Sequence, residues 1–450
     1  MRLWFRSALL ESGWHDDVRL TIEGGRIARI ERAVAPEPGD ERHAVGVPGI
    51  PNVHSHGFQR AMAGLAEVAG AAADDFWSWR QAMYRIVARM SPEEMEAITA
   101  FAYIEMLEAG FTRVGEFHYV HHDPDGSPYA NPAETAERIA AAASVSGIGL
   151  VLLPVFYAHG NFGGTAAQPG QRRFVNDLER FARVHAASRQ AVQRLEGATL
   201  GIAPHSLRAV TPQELAALQS IGSGPFHIHI AEQTQEVTDC LAWSGERPVE
   251  WLMDHAEVDA RWCLVHATHA SEAELERVAR SGAVVGLCPI TEANLGDGVF
   301  PATVFQATGG AYGIGSDSNV LIDAAEELRT LEYAQRQMRR KRNVLSAESG
   351  GSTGRVLLEA AVRGGCVALG GGVPLLRADA EADVVSLDAA HPSLECRRGD
   401  ALLDGWIFAA RDRVVDCVWR RGRKVVAGGR HLARDALEAR YARALATLLA

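Results

Sequence analysis

Short alternating segments open the chain. Residues 18–22 (Val-Arg-Leu-Thr-Ile) and 26–30 (Arg-Ile-Ala-Arg-Ile) flank Glu23-Gly24-Gly25, a pattern that predicts a β-hairpin. The same pattern returns near the end. Residues 383–387 read as a strand, and 413–419 and 424–426 read as a second hairpin around Arg421-Gly422-Arg423. A helical period follows over 432–449. The two ends therefore predict halves of one small β-sandwich domain, residues 1–46 and 375–430, with residues 431–450 as a C-terminal helix.

Between the ends, continuous apolar runs replace the alternation. They cover 47–53, 113–117, 149–155, 200–204, 226–230, 263–266, 284–288 and 313–317. Helical stretches such as 92–109, 132–147, 212–220 and 271–281 separate them. Strands that are apolar on both faces belong in a parallel sheet covered by helices. Eight such units predict an α/β fold, a distorted (β/α)8 TIM-like barrel over 47–374.

Composition narrows the class. The 450 residues suffice to bury a full core, and the net charge of −11 argues against a nucleic-acid partner or an anionic membrane surface. No apolar run reaches membrane-spanning length, and charge breaks the N-terminus too early for a signal peptide. Six scattered cysteines without a C-x-x-C fit reduced thiols and a cytoplasmic location. The β-rich ends suit packing or association, and a homodimer is the expectation.

In a barrel of this kind, chemistry sits at the C-terminal strand ends. Those ends carry His54 and His56; Glu116, His118 and Tyr119; Tyr157 and His159; His205 and Arg208; His229 and Glu232; His266 and His269; Glu292 and Asn294; and Asp317. His54 and His56, two apart on a strand, face the same side. Alone they could be two satisfied polar residues. With His229 and Asp317 they make three imidazoles and a carboxylate, a donor set for one divalent metal, Zn2+ or Fe2+, that makes a water nucleophilic. His266 is better placed as a base or orienter than as a ligand. Glu232 can carry a proton to a leaving nitrogen. His118, His121 and His122 read as hydrogen-bonded structure rather than as a second metal site.

The segments Pro48-Gly49-Ile50-Pro51-Asn52-Val53-His54-Ser55-His56, His227-Ile228-His229-Ile230-Ala231-Glu232, Val265-His266-Ala267 and Gly315-Ser316-Asp317-Ser318 resemble the deaminase branch of the amidohydrolase superfamily. The resemblance spans nearly the whole chain and implies a mononuclear, metal-dependent hydrolase. Only two lysines occur, Lys341 and Lys424. Neither lies near a strand end, so the carboxylated lysine of binuclear relatives has no counterpart.

Longer stretches resemble the formimidoylglutamate deiminases within that branch: His56-Gly57-Phe58-Gln59-Arg60-Ala61-Met62-Ala63-Gly64, Phe76-Trp77-Ser78-Trp79-Arg80, Glu116 to His122, Pro204 to Val210, and Thr291 to Gly298. Strand-end position already marks Glu232, His266 and Asp317 as the catalytic residues, Asp317 and His266 for the water's proton and Glu232 for the leaving nitrogen. This resemblance implies that Gln59, Arg80, Tyr119, His205 and Arg208 bind a dicarboxylate substrate, N-formimino-L-glutamate. Arginine suits that task because its planar fork grips a carboxylate at two points. Two rival readings stand beside it: a sibling deaminase of a purine or other heterocycle, and a non-catalytic barrel that binds metal or carboxylate. The role of Asn319 is open.

Overall fold

The computed structural model describes residues 1–69, 74–346, 350–372, 375–412 and 414–450. Arg413, expected at the start of a strand, and residues 373 and 374, at the expected end of the barrel, lie outside them.

The two chain ends build one eight-stranded sheet. Its order is Arg430–His431, Arg423–Ala427, Val415–Arg420, Val384–Leu387, Glu41–Pro48, Arg2–Leu10, Gly13–Glu23 and Arg26–Glu31. Neighbours run antiparallel, except that Arg2–Leu10 and Glu41–Pro48 are parallel. The first hairpin turns where the glycine pair predicts, with Glu23 opposite Arg26. Phe5 and Trp419 stand three strands apart in this order, roughly 14 Å in a flat sheet. Their rings nevertheless lie 6.3 Å apart, so the sheet curls over its own core of Leu3, Phe5, Leu20, Ile22, Val384 and Trp419. The closing helix is Arg434–Leu449.

The central run forms a parallel sheet of Ile50–Ser55, Phe111–His118, Gly149–Phe156, Thr199–Leu200 with Ala203–Pro204, Phe226–Ile230, Trp262–His266, Val284–Leu287 and Ala311–Ile314. Ala311–Ile314 pairs with Ile50–Ser55, and the parallel bridges Ile202–Phe226 and Ser206–His229 join the remaining ends, closing the barrel. The fourth strand survives only as two dipeptides, which is the barrel's distortion. Ser91, Thr211 and Ser271 cap the helices Pro92–Glu108, Pro212–Gln219 and Glu272–Ser281 through reciprocal bonds with Glu94, Glu214 and Glu274.

Two expectations shift. The run 47–53 is not one strand: Glu41–Pro48 ends in the small sheet and Ile50–Ser55 begins in the barrel. Gly49 makes the transition, where an added Cβ would lie 2.4 Å from the Thr112 side chain. The last barrel strand stops at Ile314, which leaves Gly315 to Asp317 free to turn toward the barrel mouth.

The helix Thr353–Ala368 seals the opposite end. His227 donates from Nε2 to the Ala368 carbonyl over 2.7 Å. Ala368 joins Val53, Cys263, Val265, Val284 and Cys288 in an apolar layer under the polar strand ends.

Candidate active site

His54, His56, His229 and Asp317 converge at the barrel mouth. His54 Nε2 lies 3.2 Å from His56 Nε2, 3.0 Å from His229 Nε2 and 3.3 Å from Asp317 Oδ1. His56 Nε2 is also 3.3 Å from Asp317 Oδ1. The outer ring nitrogens fix the tautomers: His56 Nδ1 donates to the Phe117 carbonyl at 2.9 Å, and His229 Nδ1 to the His205 carbonyl at 3.0 Å. Each ring therefore turns an unprotonated Nε2 inward.

Two lone pairs and a carboxylate oxygen crowd one point without protons enough to bond them all. Burial holds the imidazoles neutral, pushing His54 down to about 3, His56 down, and His229 well down with help from His54. Burial alone would raise Asp317, but the histidines around it hold it well below the usual carboxylate range. The His54 Nδ1 atom is buried without a partner. Neutral imidazoles and an ionised carboxylate aimed at one centre are what a divalent transition metal requires, so the donor set fits such an ion.

His266 stands beside this centre. Its Nε2 is 3.9 Å from Asp317 Oδ2 and 3.7 Å from Glu232 Oε1, and its Nδ1 is 3.2 Å from Glu292 Oε1. One nitrogen each from His54, His229 and His266 and an oxygen of Asp317 lie within 4.8 Å of one another. Burial opposes charge on His266, yet Glu232, Glu292 and Asp317 together push it up to about 10. Held between Glu232, Glu292 and Asp317, His266 is placed to orient these carboxylates. Glu232 is 4 % exposed, and burial pushes its carboxyl up to about 7, suitable for proton transfer near neutral pH.

The backbone at these strand ends is strained. Ala231, His266, Ala267, Asp317 and Asn319 all have left-handed φ, between 44° and 68°. Non-glycine residues hold such angles at a cost that the surrounding structure must offset, and they cluster at functional sites.

A cavity opens directly over the centre, lined among others by Gln59, Arg80, Tyr119, His205, Arg208 and Glu232. Gln59 sits on the 3-10 turn Gly57–Met62 and donates from Nε2 to Tyr119 Oη at 2.9 Å. Arg208 follows the broken fourth strand, and Arg80 projects from the helix Phe76–Val87. Arg80 Nε, Arg208 Nε and Nη2, and Gln59 Oε1 are buried without hydrogen-bond partners. Buried polar atoms are normally paired, and leaving them unpaired is costly, so these three donors and one acceptor point to a ligand rather than to the protein's own packing.

Comparison with known proteins gives the family. Residues 45–425 match the amidohydrolase family, and residues 3–44 match a domain described as formimidoylglutamate deiminase HutF, N-terminal domain. The formimidoylglutamate deiminase of Pseudomonas aeruginosa is 54% identical over 445 residues, 98% of this chain and 97% of its own. The chain belongs to the amidohydrolase family, among its formimidoylglutamate deiminases. An amidohydrolase from Brucella melitensis, known from a crystal structure, is 57% identical and superposes with a TM-score of 0.97 over 100% of both chains. An adenosine deaminase from Xanthomonas campestris, crystallised with bound zinc, shares the fold: TM-score 0.81, 21% identity, 100% of this chain and 98% of that one. As a family member the chain is a metal-dependent hydrolase of carbon–nitrogen bonds.

All five residues expected to bind substrate thus line one cavity with Glu232, His266 and Asp317. Several other strand-end residues do not. His118 bonds Thr135, His121 the Val155 carbonyl, and His122 the Val175 carbonyl and Asn176, as hydrogen-bonded structure. His159 pairs with Glu214, and Asn294 donates outward to Glu67. Glu116 accepts from the Gly57 N–H at 2.7 Å, under the site rather than in it. The sequence reading left out Trp77, Tyr84 and Glu236. Trp77 and Tyr84 share the Arg80 helix at three- and four-residue spacing, a signal that was available. Glu236 accepts from the Ala231 and Glu232 N–H groups, a loop contact that no spacing announces.

Proposed function

We propose that this chain hydrolyses N-formimino-L-glutamate to N-formyl-L-glutamate and ammonia, as a step of histidine degradation. We place it in the cytoplasm as a homodimer without nucleic-acid or membrane partners. The observation that carries the reading is the pair of cavity arginines with unpartnered buried donors, facing a metal-type donor set. A dicarboxylate answers both forks, whereas a purine would leave two guanidinium groups unmatched.

His54, His56, His229 and Asp317 hold one divalent ion in this reading, zinc by preference, since a solved neighbour of the same fold carries zinc. When bound, the ion supplies Lewis acidity and makes water nucleophilic near neutral pH. Arg80 and Arg208 grip the two carboxylates, and Gln59, Tyr119 and His205 complete the binding of the glutamate part. That grip presents the formimino carbon at the mouth. Water adds to this carbon while Asp317 accepts its proton. His266, between Glu232 and Asp317, keeps both carboxyls in place. With the formimino group protonated, the addition leaves a hydroxyl and a neutral amine on the carbon. Glu232 protonates the amine, the C–N bond breaks, and ammonia leaves. The hydroxyl becomes the formyl C=O and returns its proton to Glu232, and Asp317 passes its proton to the departing ammonia.

Replacing Glu232 by Gln keeps the shape and removes the proton. Proton transfer by a positioned side chain is worth roughly 10²–10⁴-fold, so Glu232→Gln should lose at least about a hundredfold in kcat while metal content, measured by elemental analysis, stays at the wild-type level. Full activity in that variant would overturn the role given to Glu232.

A further inference from the structure

We infer that Trp77 is a specificity-determining residue, whose indole holds the Arg80 and Arg208 guanidinium groups side by side as one receptor for two carboxylates. The inference rests on the reading of the site given above and deepens it.

The Arg80 guanidinium carbon lies 4.4 Å from the Trp77 ring centroid, and that of Arg208 lies 5.5 Å from the same ring. Arg80 also stands 5.6 Å from the centroid of Tyr84. Trp77, Arg80 and Tyr84 follow one another at three and four residues along the helix Phe76–Val87, so they share a face. Arg208 comes from a different part of the barrel rim, the turn Leu207–Ala209. The indole is therefore the shared partner of two cations from two elements.

The kind of partner matters. A carboxylate holds an arginine by occupying its N–H donors, as Glu105 does for Arg60 at 2.7 Å. An aromatic face attracts the cation through its quadrupole and leaves the N–H edge free. Among the described residues no carboxylate lies within ion-pair distance of Arg80. Of the carboxylates among the described residues, Arg208 has only Glu236 within ion-pair distance, at 3.9 Å, and Glu236 already accepts two backbone N–H groups. The donors left over are the buried, unpartnered Arg80 Nε and Arg208 Nε and Nη2. Two like charges thus share one aromatic partner, with only the 3.9 Å approach of Glu236 to Arg208 to offset them, and both arginines line one cavity. A monoanion would satisfy only one of them. The site selects for a second carboxylate because Trp77 keeps the second guanidinium in reach.

Kinetics and binding on the full, metal-loaded chain test this. Trp77→Leu removes the π face, and Trp77→Phe keeps a smaller one. Trp77→Leu should raise KM for N-formimino-L-glutamate about tenfold, with kcat falling less than about threefold, consistent with losing cation–π contacts. Trp77→Phe should restore most of that loss. By calorimetry, the Trp77→Leu change should weaken glutarate about tenfold and butyrate less than about twofold. Unchanged KM and unchanged glutarate affinity in Trp77→Leu would overturn the inference, as would equal weakening of glutarate and butyrate. A wild-type chain inert toward N-formimino-L-glutamate would instead overturn the functional reading. The glutarate and butyrate comparison would then decide on the receptor by itself.

Discussion

Asn319 shows how a single side chain can brace the centre. It is fully buried with φ of 57°. Its Nδ2 reaches the His56 carbonyl and the Asp317 carbonyl, each at 3.0 Å, and Ser55 Oγ at 3.2 Å. Its Oδ1 accepts from Ser316 Oγ at 2.7 Å, and Ser316 in turn accepts from Asn52 at 2.7 Å. The network pins the segments bearing His56 and Asp317 to each other. Partners that orient metal ligands commonly contribute 10–100-fold to metal affinity. Glycine accepts the left-handed angle without strain, so Asn319→Gly removes the side-chain bonds without adding backbone strain. It should weaken metal binding by about 10- to 100-fold in a chelator competition, and wild-type affinity would contradict the bracing role. At this scale the sequence was most informative where chemistry demands a rare residue pattern: His54, His56, His229 and Asp317 could be read from strand-end positions. Asn319 and Glu236 could not, because their work is done through backbone groups brought close only by the fold.

Elements were legible where local rules govern. The stretches 92–109, 212–220 and 271–281 marked the helices Pro92–Glu108, Pro212–Gln219 and Glu272–Ser281, and the glycine pair marked the first hairpin. The fourth barrel strand was legible as an apolar run, but not its break into Thr199–Leu200 and Ala203–Pro204, since irregular pairing leaves no periodic trace. Nor did periodicity show that one apolar run would serve two sheets across Gly49. The helix Thr353–Ala368 depends on a close approach of the same kind. A Cβ at Gly364 would lie 2.0 Å from the Tyr312 carbonyl oxygen, so any side chain forces the helix off the Ala311–Ile314 strand. Overpacking of this sort costs about 1–3 kcal/mol. Gly364→Ala should accordingly lower Tm by about 1–3 °C in a thermal melt, and an unchanged Tm would show that the helix can move at little cost.

For the whole molecule, the ends and the middle do different work. The curled sheet built from both termini anchors the strand Glu41–Pro48, which leads directly through Gly49 into the strand bearing His54. The barrel gathers polar residues from separate strand ends at one mouth, and the helix Thr353–Ala368 closes the other end with apolar packing. Alternating ends and continuous apolar runs between them made this division legible. Among the described residues no helix is long and apolar enough to cross a membrane. The net charge of −11 gives no general attraction for a dianionic substrate, so recognition falls to the local arginines rather than to the protein's overall field. The most direct test of this account is ammonia release by the metal-loaded protein, with N-formimino-L-glutamate, guanine, adenosine and cytosine offered in parallel. The account predicts rapid release of one ammonia per N-formimino-L-glutamate, with N-formyl-L-glutamate as the other product, and at most trace release from the heterocycles. Release from a heterocycle but not from N-formimino-L-glutamate would contradict it.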